Sequence, residues 1–477
     1  MKKHIFILLA CMTYMPISFA NTANVNPSKG LSPYEKELTK LLNSLNTVTG
    51  VPGFSVAVTH KGKLVASVAT GFADVKNQQP ATPDTTFRLA SVSKLIGATM
   101  LAELVTLEQL DPDLGIGHYY PELNSKYHHI TVRQLLSHTS GLPHYQVKDF
   151  DIYDQHFTSA VAAVKTLKNR DLLSRAGSEY LYSTHGYTLA GALYEKITKQ
   201  PLSQAVKNFV ARWTDKTTPA IENINALSPS SSKLYELTRD GAEPIAFGEK
   251  SYSVFGAGLF ASASDLALFG AKVLEKSQNE SPLGQLLFTP TKFLNGDLVS
   301  NDRFAVGFGW RISTDAQGRT VYHHAGATPG ARSILAIFPE QEVSIAFLSN
   351  SSWISSIDKL AFALAGLYID NATLDPKNNI KIEVKNKGQQ VSSHTSCQVN
   401  MCYLTDNTTD YANWLNTFNT SNNPIKQWPL FTYSTKHGQR LLMVTKIGIT
   451  SFEGKNNVFE IDAGKHQTYS IQLTETQ

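Results

Sequence analysis

The sequence predicts an α+β fold: an antiparallel sheet flanked by terminal helices, with a helical subdomain inserted in its connections and a small C-terminal β module. Three observations predict it. Strand-like runs lie near residues 54–70 and return after Phe304. Helical runs flank and separate those two regions. Beyond Thr373 the composition shifts to Asn, Thr, Lys and Gln with short alternating runs. At 477 residues and 42% hydrophobic content, the chain is long enough for one large domain and a smaller one. The expected division is a leader over 1–20, a main domain over 21–372 and a β-rich module over 373–477.

The elements follow in order. Ser32-Pro33 ahead of Leu38, Leu41, Leu42 and Leu45 reads as a capped amphipathic helix. Phe54–Thr59 and Leu64–Thr70 flank His60-Lys61-Gly62-Lys63, which is a hairpin pattern. A helix starting near Ser91 is expected to run through Leu101, Leu104 and Val105 until Asp111-Pro112-Asp113 stops it. Residues 115–300 are rich in helix and loop signals, and Ser262-Ala263-Ser264-Asp265 caps a helix over Leu266–Leu274. Strands are expected at Ala305–Ile312, Thr320–His324, Ser333–Phe338 and Val343–Ser349, followed by a helix over Ile357–Tyr368. The tail contributes alternating runs such as Leu441–Ile447 and Ile471–Leu473.

Lys2-Lys3, the mostly apolar run Ile5–Phe19 and Ser18-Phe19-Ala20 read as a secretory signal cleaved after Ala20. Thr13, Tyr14 and Pro16 interrupt the run and argue against a stable transmembrane anchor. Leu8-Leu9-Ala10-Cys11 resembles a lipobox, so lipid anchoring at Cys11 is the competing reading. The expected localisation is periplasmic or secreted. Of 43 basic residues, Lys2 and Lys3 lie in the leader, leaving 41 against 39 acidic ones, a net of +2. No strong basic run accompanies that balance, so nothing points to nucleic acid as a partner. Cleavage would leave only Cys397 and Cys402, candidates for a structural disulfide. With no cysteine near a candidate site, cysteine-nucleophile chemistry is disfavoured.

The chemistry concentrates in Ser91-Val92-Ser93-Lys94. Residues at i and i+3 share a helix face, so Lys94 can reach the Ser91 hydroxyl. A desolvated amine can take the proton that makes a serine nucleophilic, and helix N-terminal N–H groups can stabilise an oxyanion. The same spacing recurs at Ser230–Lys233 and Ser356–Lys359, so an isolated match is simply a helix start with an exposed lysine. Tyr182, in Tyr182-Ser183-Thr184 at a loop-to-helix junction, can place a phenol beside Lys94, where an ammonium would favour phenolate. Its alternative is a partly buried tyrosine packing a helix start. His324, in His324-Ala325-Gly326, lies where a glycine-containing edge strand lets a substrate approach; packed strand histidines are the alternative.

Together these segments resemble the three motifs of the penicillin-recognising serine hydrolases, in the branch of class C β-lactamases, D-Ala-D-Ala peptidases and related esterases. Leu135–Leu142 and Gly258–Leu266 match two accessory stretches, and the resemblance covers about residues 30 to 372. It implies a β-lactamase/transpeptidase-like fold and Ser91 as the acylated nucleophile, with Lys94 and Tyr182 sharing proton transfer in an order it leaves open. It further implies an oxyanion hole from the N–H groups of Ser91 and Ala327, with Thr184, Gly326 and Ala327 among the substrate-binding residues. His324 would assist electrostatically or bind an acidic group, and Gln146 would contact substrate. Two departures weaken a β-lactamase reading. Thr184 replaces an asparagine that holds the substrate amide, and His324 replaces a lysine that binds the β-lactam carboxylate. Tyr-Ser-Thr with His-x-Gly is more similar to the mitochondrial β-lactamase-like serine protease and its bacterial relatives, or to family esterases.

The leading expectation is an exported serine hydrolase that cleaves an amide or ester, peptidase or esterase rather than β-lactamase, on a small-molecule or peptide substrate. The alternative is a penicillin-binding-like receptor that acylates without turnover, with residues 373–477 contacting cell wall or a partner. No cofactor is called for. A metal hydrolase lacks support, because no His-Glu-x-x-His occurs and His128, His129, His138, His144 and His156 are scattered.

Overall fold

A computed structural model describes residues 31–475 apart from 147–148, 150–151, 153–154, 169, 226, 239, 354, 375–379, 387–388, 396, 399–400, 406–426 and 463–467. The expected leader, with Cys11, lies outside the described residues. Helix α1 (Pro33–Thr49) opens on a capping box in which Ser32 Oγ accepts from the Glu35 N–H and the Glu35 carboxylate accepts from the Ser32 N–H. Gly50, at φ 75°, ends it. Strands β1 (Gly53–His60) and β2 (Lys63–Asp74) form the expected hairpin.

Helix α2 (Ser93–Thr106) is entered through a tight turn at Ala90–Val92 that contains Ser91. It ends at Thr106, short of the expected stop at Asp111-Pro112-Asp113. Glu108 turns left-handed (φ 57°) and the Gln109 N–H folds back onto the Leu104 carbonyl at 2.9 Å, so a local cap ends the helix first. Helices α3 (Thr184–Thr198) and α4 (Ala263–Lys276) follow, α4 capped by Ser262 as expected.

Strands β3 (Arg311–Thr314), β4 (Thr320–Thr328), β5 (Ala331–Phe338) and β6 (Val343–Ser349) then complete the main sheet. The expected single strand over 305–312 is broken. Gly309, at φ 85°, folds the chain back so that Arg311 pairs with Val306. The antiparallel sheet has eight strands in the order Gln79–Pro80, β2, β1, β6, β5, β4, β3, Ala305–Val306. Its central strands are buried on both faces. Phe54, Val56 and Val58 of β1 meet the α1 leucines and helix α5 (Ile357–Ile369), while Ala57 belongs to the opposite core under α4. Small residues suit that second face: a Cβ on Gly270 of α4 would lie 2.2 Å from Ser344 Oγ.

The C-terminal region forms a separate ten-stranded sheet, entered by Thr373–Leu374. Its strands β7 (Gln427–Thr435) and β8 (Gly438–Thr445) supply Phe431, Tyr433, Leu442 and Val444 to the core that holds the α1 leucines and α5. The backbone sets Cys397 opposite Cys402 on adjacent strands; their side chains lie outside the described residues. Asp370, fully buried just past α5, ties these parts together. Its Oδ1 lies 2.9 Å from Arg319 Nη1 in the β3–β4 connection, and its Oδ2 lies 3.1 Å from Arg440 Nη2 of β8.

Without Asp370, Arg319 keeps Asp315 but buried Arg440 is left with only the distant Glu453 carboxylate at 3.8 Å, and removing one partner of a buried ion pair costs about 3–5 kcal/mol. Asp370→Ala is therefore expected to lower stability by about that amount in urea denaturation. A change within about 0.5 kcal/mol, the range of ordinary surface substitutions, would contradict this account of how the C-terminal sheet is held.

Candidate active site

The segment before Ser91 is fixed from three sides. Phe87–Arg88 pairs with Leu259–Ala261, and the Leu89 N–H donates to the Leu259 carbonyl at 2.9 Å. Arg88 Nε donates to Glu222 Oε1 at 2.9 Å in a buried ion pair. Ser333 Oγ of β5 donates to the Leu89 carbonyl at 2.5 Å. Ala90 is thereby held at φ 48°, an unfavourable conformation for a residue with a Cβ, and Ser91 is presented where α2 begins. Ser230 and Ser356 have no such setting: Ser230 lies in a turn and bonds Ser228, and Ser356 precedes α5.

Lys94, fully buried in the first turn of α2, reaches three acceptors. Its Nζ lies 3.1 Å from Ser91 Oγ, 3.2 Å from Thr184 Oγ1 and 2.7 Å from the Gly256 carbonyl. Among the described residues no carboxylate lies within ion-pair distance of it. Burial, followed by the positive charge of Arg311, pushes the amine well below the ordinary lysine range. A neutral amine has two donors and one lone pair. As a neutral amine, with its two donors on Gly256 and Thr184, it would turn its lone pair toward Ser91.

Tyr182 lies just before α3, whose N-cap Ser183 accepts from the Gly186 N–H. Its phenol donates to Ser91 Oγ at 3.0 Å. Burial raises its pKa, with Arg311 opposing. Burial thus outweighs the direction expected from a neighbouring ammonium, and phenolate is disfavoured here. The accessory stretch Leu135–Leu142 explains how the phenol is aimed. His138, at φ 61°, accepts from the Ser183 N–H at 3.1 Å through Nδ1 and from the Leu181 N–H at 2.8 Å through its carbonyl. Its ring centroid lies 4.3 Å from that of Tyr182.

His324 on β4 is buried, with its ring centroid 6.2 Å from that of Tyr182. Its Nδ1 lies 2.6 Å from the Ala325 carbonyl, while Nε2 is buried without a hydrogen-bond partner among the described residues. Burial, then Arg311, hold the ring well below the ordinary histidine range, so it is neutral at pH 7. Gly326 runs against the nucleophile's backbone: a Cβ there would lie 2.4 Å from the Leu89 carbonyl and 3.1 Å from the Ser91 nitrogen. Ala327 follows, exposed, on β4, which pairs with β3 over Thr320–His323 and leaves an open edge beyond His323. Gln146 is exposed on the loop after Leu142; its backbone N–H donates to Asp149 Oδ2 at 2.6 Å, and no described hydrogen bond joins its side chain to Ser91.

Arg311 is the residue that sequence reasoning missed. It lies opposite His323 in the β3–β4 register, over the Phe304 ring at 4.4 Å and 6.0 Å from the Tyr182 ring centroid. No carboxylate lies within ion-pair distance of it among the described residues. His144 was also missed; its Nδ1 accepts from the Thr184 N–H at 3.3 Å.

A buried lysine and a tyrosine converging on one serine, beneath an open sheet edge, define a serine hydrolase of the β-lactamase and penicillin-binding class. A family model described as Beta-lactamase matches residues 38–357, and the chain belongs to that family. It is 25% identical over 389 residues to the human mitochondrial serine beta-lactamase-like protein LACTB, covering 63% of this chain and 71% of that one. It is 23% identical over 307 residues to the protein flp of Staphylococcus aureus strain N315, covering 63% and 60%. The fold is similar to an octameric penicillin-binding protein homologue from Pyrococcus abyssi (TM-score 0.60, 17% identity, 87% of this chain and 99% of that one). It is also similar to a class C beta-lactamase (TM-score 0.58, 19% identity, 72% and 98%).

Adding a methyl at Gly326 must displace either β4 or the Ser91 turn. A shift of about 1 Å in such a site can cost about 10²-fold in rate. Gly326→Ala is expected to slow labelling of Ser91 by a fluorophosphonate by about that factor. Labelling at the wild-type rate would contradict the tight approach of β4 to the nucleophile.

Proposed function

We propose that the protein is an exported hydrolase that forms an acyl-enzyme on Ser91 from an amide or ester and then hydrolyses it, as a peptidase or esterase rather than a β-lactamase. The observation that carries this reading is Ser91 Oγ held between Lys94 Nζ at 3.1 Å and Tyr182 Oη at 3.0 Å. In this reading Lys94 is the base, since its neutral form is favoured and its lone pair faces the serine. Tyr182 remains a phenol and protonates the leaving group. The N–H groups of Ser91 and Ala327 form the oxyanion hole. The open edge of β4 receives an extended substrate backbone.

Three features support an acyl donor other than a β-lactam. Thr184 offers no amide N–H₂, its hydroxyl is engaged by Lys94, and His324 supplies no charge at neutral pH. The cation near the site is Arg311 of β3 rather than a residue at the β4 motif position. Residues 1–20 are read as the secretory signal, and the mature N-terminus measured by mass spectrometry checks that part.

Fluorophosphonate is expected to add one equivalent to the wild-type protein and none to Ser91→Ala. Labelling that persists in Ser91→Ala would overturn the assignment. The pH dependence follows from the direction of the Lys94 shift. The base form exists above the Lys94 pKa, so acylation is expected to hold at high pH and fall as pH drops through that value. Arg311 disfavours a second positive charge on Lys94, so Arg311→Gln is expected to raise the lysine pKa and move the acid limb to higher pH. A limb that stays put or moves down would contradict this.

A further inference from the structure

Thr184 begins α3, and its N–H is one of the first-turn donors that a helix leaves without an internal acceptor. His144 takes it: Nδ1 accepts from the Thr184 N–H at 3.3 Å. A backbone N–H can only donate, so Nδ1 must hold a lone pair, and the neutral ring then carries its proton on Nε2. Desolvation lowers the His144 pKa to about 4, which keeps the ring in that neutral form at pH 7. The tautomer is thereby fixed. The residue is exposed, and no described hydrogen bond uses its Nε2.

The ring is also fixed in place. It stacks on Tyr145 with centroids 4.6 Å apart and meets the Tyr182 ring edge-on at 5.2 Å. The chain is held on both sides of it. Ser183 Oγ donates to the Pro143 carbonyl at 2.7 Å, and the Gln146 N–H donates to Asp149 Oδ2 at 2.6 Å. Asp149 is itself fully buried, paired with Arg170 and 3.3 Å from His185 Nε2. Closer to the nucleophile, the Thr184 hydroxyl is engaged by Lys94 and the Tyr182 phenol by Ser91. A substrate backbone paired on the edge of β4 turns every second carbonyl away from that strand, where it needs another donor.

We propose that His144 is a specificity-determining residue whose Nε2–H donates to a carbonyl oxygen of the substrate within one residue of the scissile bond. This rests on the acyl-enzyme reading above. Tyr182 sets the reach: its oxygen lies 3.0 Å from Ser91 Oγ while its ring edge meets His144, one side chain away from the reacting centre. A donor of fixed tautomer accepts an oxygen there and disfavours an alkyl group of the same shape, which would cover the N–H without pairing it.

Two pairs of esters of matched shape test this through ratios of kcat/KM. On the acyl side, p-nitrophenyl N-acetylglycinate is compared with p-nitrophenyl 4-methylpentanoate. On the leaving-group side, the butyrate of N-acetylethanolamine is compared with 4-methylpentyl butyrate. Each pair differs in an amide against its hydrocarbon counterpart, and comparing variants cancels intrinsic reactivity. His144→Phe is expected to lower the amide-to-hydrocarbon ratio by about tenfold in one pair, the scale of one neutral hydrogen bond, and that pair locates the carbonyl. His144→Gln, which keeps an N–H₂ donor, is expected to restore most of it. Ratios unchanged in both pairs in His144→Phe would overturn the proposal, even if all rates fall, since a merely structural role moves both members of a pair alike. A ratio that falls as far in His144→Gln as in His144→Phe would overturn it too. Fluorophosphonate labelling separates the two claims: an unlabelled wild-type Ser91 sinks the acyl-enzyme reading, whereas a labelled protein with unchanged ratios sinks only the role of His144.

Discussion

A lysine amine taken wholly out of water, with no carboxylate among the described residues to offset it, is the constraint around which this fold is arranged. An isolated buried ammonium is very unfavourable, and the group responds by losing its proton. Lys94 is then satisfied by one fixed backbone acceptor, the Gly256 carbonyl, and by the hydroxyls of Ser91 and Thr184. These come from three separate segments: the turn before α2, the first turn of α3 and the short helix Val254–Ala257. Bringing them together requires α2 to be buried along nearly its whole length, and eleven of its fourteen residues are. The apolar burial that stabilises the fold, at about 1.5–3 kcal/mol per large side chain, is therefore also what favours the neutral form of the amine.

The electrostatics of the site follow from the same enclosure. Burial pushes His324 and His138 toward their neutral forms, as it does Lys94, with Arg311 adding to the effect on all three. Arg311 thus sets a fixed positive charge on β3 beside groups whose neutral forms are favoured. The C-terminal sheet supports this from a distance. It completes the core on the face covered by α1 and α5, and it shares the Asp370 ion network with the connection between β3 and β4, the strands that carry Arg311 and His324.

Much of this was legible in the sequence, and the exceptions have physical reasons. Ser32-Pro33 with the leucine stripe, the β1–β2 hairpin and the Ser262 cap are local signals, and they appear where the residues put them. The convergence of Ser91, Lys94 and Tyr182 was legible because three spaced motifs in order constrain one another. Arg311 was not: one arginine in a strand reads as a solvent-facing position, and only the pairing of Arg311 with His323 brings it to the site. The Gly256 carbonyl had no signal, since a backbone acceptor carries no residue identity. His138 was read only as part of an accessory stretch, because its left-handed backbone depends on contacts with Leu181 and Ser183. The early end of α2 and the fold-back at Gly309 are cases of local turn chemistry outweighing apolar periodicity.

The central claim is that Lys94 is a neutral amine in the resting protein. The direct measurement is an NMR pH titration of side-chain carbon-13 in lysine-labelled protein, with the Lys94 signal assigned by its loss in Lys94→Met. The account predicts that this signal titrates well below the ordinary lysine value of 10.5, apart from the exposed lysines. A Lys94 signal that titrates with the exposed lysines, or above them, would contradict it.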